Sequence, residues 1–244
     1  MPTTVLILGA TSDMATAIAH KFASEGYHLQ LAARNTTKLA ALQSDLQIRY
    51  QVNCTLHSFD GLQFDRHASF WASLNPKPAI TICVMGYMND NDKVIVSPEE
   101  TFKTIHTNYT GAVSILNIVA AEYAAQQNGI IVGISSVAGM RGRQSNYIYG
   151  SAKAGFTAYL SGLRNKMYHH KVLVVTILPG FVYTKMTEHL NLPKLLTAQP
   201  SDVGNSVYKA VVRKKNIIYI KWFWRWIMLI ITSIPETIFK KKKL

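Results

Sequence analysis

Short apolar runs recur along the chain, each closed by glycine, serine, aspartate or proline. Val5-Leu6-Ile7-Leu8 stops at Gly9. An unbroken apolar run of this length predicts a strand covered on both faces, as in a parallel sheet. Tyr27–Ala33, Thr55–Phe59, Ile80–Val84, Ile130–Ile134, Val172–Ile177 and Ile217–Ile220 follow as further strands. Between them the period changes. Ser12–Ser24 sets Ile18, Ala19 and Phe22 on one helical face, and Thr37–Tyr50 is a second helix. Pro98–Gln127 predicts one long helix, another carries Tyr149 and Lys153, and Val203–Arg213 closes the series. Strands alternating with helices at this spacing predict βαβ units: a doubly wound parallel α/β sheet of about seven strands with helices on both faces.

No linker rich in proline, glycine or serine divides the 244 residues, and 48% hydrophobic content suffices for a full core. One domain is expected over residues 1–220, with a distinct segment at 221–244. Cys54 and Cys83 stand alone, so they offer no metal-ligand spacing and no disulfide framework, which suits a reducing compartment. Met1-Pro2-Thr3-Thr4 leads straight into the first strand without the features of a signal peptide. The expected location is cytoplasmic.

The net charge of +13 is concentrated near the C-terminus. From Lys209 onward the bases are Lys209, Arg213, Lys214, Lys215, Lys221, Arg225 and Lys240 to Lys243, against the single acid Glu236. Between them lies Lys221-Trp222-Phe223-Trp224-Arg225-Trp226 and the apolar run to Pro235, which holds three of the four tryptophans. The uncharged stretch Trp226–Pro235 is far short of the ~20 residues that span a bilayer. Tryptophans favour the headgroup boundary and lysines bind anionic lipid, so 221–244 is expected to associate peripherally with an anionic membrane surface as an amphipathic helix. The alternative is a helix packed in a homodimer interface. Nucleic acid is disfavoured, because the bases flank an apolar core rather than a polar groove.

Two local patterns carry chemistry. Tyr149 and Lys153 are spaced i, i+4, which puts them on one helical face. An ammonium beside a phenol is expected to lower its pKa and let it exchange a proton near neutral pH. The pair follows a strand that ends in Ser135-Ser136. Gly9-Ala10-Thr11-Ser12-Asp13-Met14-Ala15 joins the first strand to the first helix, where backbone N–H groups and a helix N-terminus can receive a pyrophosphate.

With these motifs the chain resembles the short-chain dehydrogenase/reductase family over most of residues 4 to 220. The resemblance implies a Rossmann-type fold, a homodimer or homotetramer, and no metal. The family's Gly-x-x-x-Gly-x-Gly falls on Gly9, Asp13 and Ala15, so one glycine remains and Asp13 brings a carboxylate toward the pyrophosphate. That side chain is expected to turn away, toward helix N-terminal amides. Val84-Met85-Gly86 stands where the family has Asn-Ala-Gly. Asn108, Ser136, Tyr149 and Lys153 match the catalytic set: Tyr149 as proton donor, Lys153 as its electrostatic support and ribose ligand, Ser136 as carbonyl orienter, and Asn108 as holder of a relay water. The resemblance places the cofactor against Gly9, Thr11, Ser12, Asp13, Met14, Arg34, Asp60, Gly61, Gly86, Tyr149, Lys153, Pro179, Gly180, Val182 and Thr184. Ala33-Arg34-Asn35 has no acid to bind a ribose 2′-hydroxyl, and Arg34 offers a fork for a 2′-phosphate. NADP(H) is therefore favoured over NAD(H), unless Arg34 only faces solvent.

Within the family the chain looks like the bacterial reductases that convert a decaprenylphosphoryl 2-keto pentose to an arabinose. The acid in the glycine turn and the apolar, basic C-terminal end carry that likeness. It implies a lipid-linked or otherwise hydrophobic carbonyl substrate. Arg141, Arg143 and Gln144 follow Ser136 and are candidates for binding a phosphodiester, or they pair with acids or lie in solvent. His189–Thr197 is expected to form part of a substrate lid. The competing substrates are a 3-ketoacyl chain or a keto-sphingoid base. A non-catalytic NADP-binding membrane scaffold is the alternative from another class.

Overall fold

The computed structural model describes residues 3–187 and 193–242. The first half runs β1 (Thr4–Leu8), α1 (Asp13–Ser24), β2 (His28–Ala33), α2 (Ala40–Tyr50), β3 (Cys54–Ser58), α3 (His67–Ser73), β4 (Ile80–Cys83), α4 (Asn91–Ile95) and α5 (Pro98–Ile105). Then come α6 (Gly111–Gln126), β5 (Ile130–Ile134), α7 (Tyr147–Tyr168), β6 (Leu173–Pro179), β7 (Phe181–Val182) and β8 (Thr197–Ala198). The chain closes with α8 (Pro200–Val212), β9 (Ile217–Ile220), α9 (Trp224–Ser233) and α10 (Glu236–Phe239).

Seven strands form one parallel sheet in the order β3-β2-β1-β4-β5-β6-β9, as the apolar runs predict. Alternate residues of each strand serve opposite layers. Val5 and Ile7 join Ile18, Phe22, Leu46, Val203 and Val207 in the core under α1, α2 and α8. Leu6 and Leu8 join Trp71, Leu116, Tyr123, Phe156 and Leu160 under α3, α6 and α7. Covering both faces is why these strands read as continuous apolar runs rather than alternating ones. The strand order reverses between β1 and β4, and there the C-terminal strand ends part to leave a crevice.

Sequence boundaries shift for identifiable reasons. Ser12 is the cap of α1 rather than its first turn, since its hydroxyl accepts from Ala15 N–H. The expected long helix Pro98–Gln127 is α5 and α6 joined through a π turn at His106–Thr110. α8 begins at Pro200, earlier than its apolar period implies, where Gln199 and Asp202 form a reciprocal capping box. Helices α3 and α4 have no counterpart in the apolar pattern because they are short.

The C-terminal segment folds onto the body. Trp224 and Met228 of α9 pack with Val137 and Leu178 in a third, small core. Among the described residues no helix is long and apolar enough to cross a membrane.

Candidate active site

Two clefts open at the C-terminal ends of the strands, on either side of the β1/β4 crevice. Their enclosed volumes are about 160 and 130 Å³.

The first cleft is lined by Gly9, Thr11, Ser12, Arg34, Asp60, Gly61, Val84, Gly86 and Thr107, among others. Gly9 has φ +83, and a Cβ there would lie 3.1 Å from the backbone nitrogen of Met85. A side chain at this position would strain the turn and wedge β1 from β4. The helix α1 N-terminus opens into the same turn, so its amides favour an anion. Arg34 is exposed at the end of β2 and has no ion-pair partner among the described residues. Asp60 closes its own turn, with Oδ1 accepting from Leu62 N–H at 3.0 Å. The turn is open where a pyrophosphate would lie, a helix N-terminus faces it, and a cation waits at the far end. These residues fit a phosphorylated dinucleotide. Thr107 was not singled out by sequence; the π turn rotates it into the cleft, a displacement no periodicity shows.

The second cleft holds the proton chemistry. It is lined by Ser136, Asn146, Tyr149, Pro179, Gly180, Val182 and Thr184, and by the apolar Met14, Met88, Val137, Phe181 and Met186. Tyr149 and Lys153 share one face of α7. Lys153 is 3% exposed, and its ammonium donates to the carbonyls of Ile134 at 3.1 Å and Met85 at 3.4 Å. It sits 5.8 Å from the centre of the Tyr149 ring. Lys153 also stands between the clefts, since a Cβ on Gly86 would be 3.8 Å from Nζ. Burial lowers the Lys153 pKa to about 8.

The expectation that Lys153 lowers the Tyr149 pKa does not hold in this geometry. Burial raises the phenol to about 12, and only a hydrogen bond with Ser136 works against the rise. Two carbonyls hold the ammonium, and the low-dielectric surroundings penalise phenolate and ammonium alike. Tyr149 is therefore a protonated phenol at neutral pH, the state from which an acid donates.

Ser136 caps a short 3-10 turn, its hydroxyl accepting from Ala138 N–H at 3.1 Å. Asn108 is 1% exposed and lies in the π turn. Its amide donates to the carbonyls of Thr104 at 2.8 Å and Tyr87 at 2.5 Å, and its Oδ1 accepts from Tyr87 N–H at 3.2 Å. The side chain thus pins the loop after β4 to the helix beside it.

Asp13 does turn away from the first cleft, but not toward its helix. Its Oδ2 accepts from the Lys185 amide at 2.7 Å, across 172 residues of sequence. Ser12 already occupies the helix amide that Asp13 was expected to cap.

The three candidate substrate residues part company. Arg141 is drawn to the C-terminal segment: it donates to Thr232 O at 3.1 Å and Glu236 Oε2 at 2.7 Å, and stacks 4.0 Å over the Phe239 ring. The exposed Gln144 uses its backbone carbonyl to accept from Asn91 at 3.3 Å. Arg143 alone lines the second cleft. Among the described residues its one side-chain hydrogen bond is to Met228 Sδ at 3.6 Å and its buried Nε finds no partner, and burial lowers its pKa. Sequence reasoning overlooked Asn146, whose buried Oδ1 has no partner at the same cleft. Of the expected lid over His189–Thr197, residues 189–192 lie outside the described residues; Thr197 pairs with Phe181 in β7–β8.

Known proteins resemble this chain in sequence and in fold. Residues 3–194 match the sequence model of the short chain dehydrogenases. An uncharacterized oxidoreductase of Mycobacterium tuberculosis is 30% identical over 240 residues, covering 97% of this chain and 96% of that protein. A 3-oxoacyl-[acyl-carrier-protein] reductase of Bos taurus is 26% identical, covering 76% of this chain and 78% of the relative. A short-chain dehydrogenase from Sphingobium yanoikuyae, solved in complex with NADPH, superposes with a TM-score of 0.81 at 22% identity over 97% of both chains.

Proposed function

Because this chain belongs to the short-chain dehydrogenase family and is an NAD(P)-dependent oxidoreductase acting between C–OH and C=O, we propose that it draws on NADPH to reduce a ketone on a lipid-linked, phosphate-bearing sugar at the cytoplasmic membrane surface. The observation that carries the substrate class is Arg143: a half-buried guanidinium in the cleft of Ser136 and Tyr149, among mostly apolar side chains, with no carboxylate paired to it among the described residues. A substrate phosphodiester supplies the missing anion in the bidentate form arginine favours. Met14, Met88 and Phe181 suit an apolar chain beside it. Arg34, with no acid near it on β2, supports NADP(H) over NAD(H), and the Sphingobium relative was solved with NADPH.

A nicotinamide held between the two clefts, at Gly86 and Lys153, would supply hydride to the carbonyl carbon. The π pair moves to oxygen, where the Ser136 hydroxyl orients the developing alkoxide and Tyr149 gives up its proton. Lys153, as ammonium, lies 5.8 Å from the centre of the Tyr149 ring and is the cation beside the phenolate that forms.

The membrane part of the proposal rests on α9. Trp226, Leu229 and Ile230 share one face of α9 and are 53%, 54% and 67% exposed, and Trp222, just ahead of the helix, is 74% exposed. Lys221 and Arg225 flank these residues in sequence, and Lys240 to Lys242 follow α10. An anionic bilayer matches both its greasy strip and its charge.

A second reading, reduction of a 3-oxoacyl chain, is favoured by the bovine relative and the apolar cleft. NADPH oxidation in liposomes separates the two, with a polyprenylphosphoryl 2-keto pentose set against a 3-oxoacyl thioester. The proposal expects turnover of the sugar lipid, loss of at least about 100-fold in Tyr149→Phe, and a KM rise of about tenfold or more in Arg143→Met. Turnover of the thioester alone moves the protein to acyl-chain chemistry. Full activity in Tyr149→Phe removes the catalytic assignment.

A further inference from the structure

Asp13 stands where the family pattern has glycine, beside the anion-receiving end of α1, and it must have a use that offsets the charge it brings there. We infer that Asp13 is a positioning residue, which ties the wall of the ketone cleft to the cofactor turn. This rests on the reading of that cleft as the ketone site.

The tie is a single charge-assisted bond, from the Lys185 amide to Asp13 Oδ2 at 2.7 Å. Lys185 belongs to a short knot built on Thr187. The Thr187 hydroxyl donates to Val182 O at 2.6 Å and accepts from Thr184 N–H at 3.2 Å. One end of the knot is fixed by β7, which pairs Phe181 with Thr197 and Val182 with Ala198. Among the described residues, the other end is held to the body of the fold at α1 through Asp13. Val182, Thr184, Met186 and Thr187 line the cleft that Tyr149 and Ser136 share, and Met14, next to Asp13, faces them. The bond therefore sets the width of the cleft where a ketone must meet the cofactor.

Coupling follows from electrostatics. Asp13 is the first residue of α1, so its carboxylate, though turned to Lys185, stays close to the positive helix end where a cofactor pyrophosphate belongs. The arriving anion repels the carboxylate, and the Lys185 amide is the donor on its far side. Bound cofactor thus strengthens the tie and narrows the cleft, so that NADPH raises the affinity for ketone, and by linkage the reverse also holds.

Hydrogen exchange at the Lys185 amide, read by NMR with and without NADPH, tests this directly and needs no turnover. The wild-type amide is expected to exchange slowly, and about tenfold or more slowly again with NADPH. In Asp13→Ala it is expected to exchange at least about tenfold faster and to lose its response to NADPH. Asp13→Asn keeps an acceptor oxygen and restores most of the protection. In turnover of whichever ketone the wild type reduces, Asp13→Ala is expected to raise KM about tenfold with kcat within about threefold, while NADPH affinity holds or improves. Equal Lys185 exchange in wild type and Asp13→Ala overturns the inference. Equal loss in Asp13→Asn and Asp13→Ala also overturns it. Failure of both test ketones in the wild type would count against the proposed substrate and leave the exchange result standing.

Discussion

Lys153 is a cation at 3% exposure with no carboxylate paired to it among the described residues, and its chemistry and its cost have the same origin. The folded-state pKa, about 8, is below the ordinary lysine value of 10.5. Between those values the unfolded chain binds a proton that the folded chain does not, so this group makes stability rise with pH across that window. Below pH 8 the folded protein carries the ammonium at a cost on the order of 1–3 kcal/mol. Lys153→Met is therefore expected to abolish turnover and raise thermal stability at pH 7. The gain shrinks toward pH 10, and unfolding followed at both pH values measures it. In the wild type, kcat/KM for reduction is expected to be level below pH 8 and to fall about tenfold per unit above it, as the cation beside the developing phenolate is lost. A profile that stays level to pH 10 would separate Lys153 from the proton step. The i, i+4 spacing made the pair visible in sequence, because geometry on a helix is periodic. The direction of the Tyr149 shift was not visible, because it is set by burial among residues far apart in the chain.

At the scale of elements, what could be read was what one strand or helix determines by itself. Ser12, Ser97 and Pro98 announce helix starts through local hydrogen bonds, and apolar runs announce strands covered on both faces. What could not be read depends on two distant elements meeting. Asp13 bonds Lys185 and Arg141 bonds Glu236, and neither contact has any sequence period. Gly180 is the sharpest case. The pattern places it beside a nicotinamide, yet a Cβ there would lie 2.0 Å from the Trp224 ring. Trp224 is itself held by its indole N–H donating to Leu196 O at 3.1 Å. Gly180→Val must push α9 outward or distort the end of β6. A loss of about 1–3 kcal/mol is expected, from overpacking a filled site. That corresponds to a fall in Tm of roughly 2–4 °C per kcal/mol for a chain of this size. Trp224 emission should move to the red as the ring meets water. A Tm and emission equal to wild type would show that the α9 contact is looser than drawn.

For the molecule as a whole, the C-terminal segment sets an exposed apolar face beside the ketone cleft. The inner face of α9 carries Trp224 and Met228, and the latter is the sulfur that Arg143 touches. Arg141 grips Thr232 and Glu236 from the loop that follows Ser136. The outer face, Trp222, Trp226, Leu229 and Ile230, is left to solvent in the isolated chain. Pressing that face into a bilayer would bring Arg143 and the mouth of the ketone cleft close to the headgroups, where a lipid phosphate lies. The attraction has two parts that respond to different conditions. Lys240, Lys241 and Lys242 contribute about 1 kcal/mol each at an anionic surface and weaken with salt, whereas the tryptophan face does not depend on lipid charge. Flotation with vesicles containing phosphatidylglycerol is expected for the wild type. It should fall with added salt and with neutral phosphatidylcholine vesicles. Trp226→Ser with Ile230→Ser should weaken it at every salt concentration, yet leave turnover of a water-soluble ketone within about twofold, because neither side chain lines either cleft. If the wild type fails to float with anionic vesicles, the apolar face of α9 belongs to a protein partner, and the surface site of the reaction falls with it.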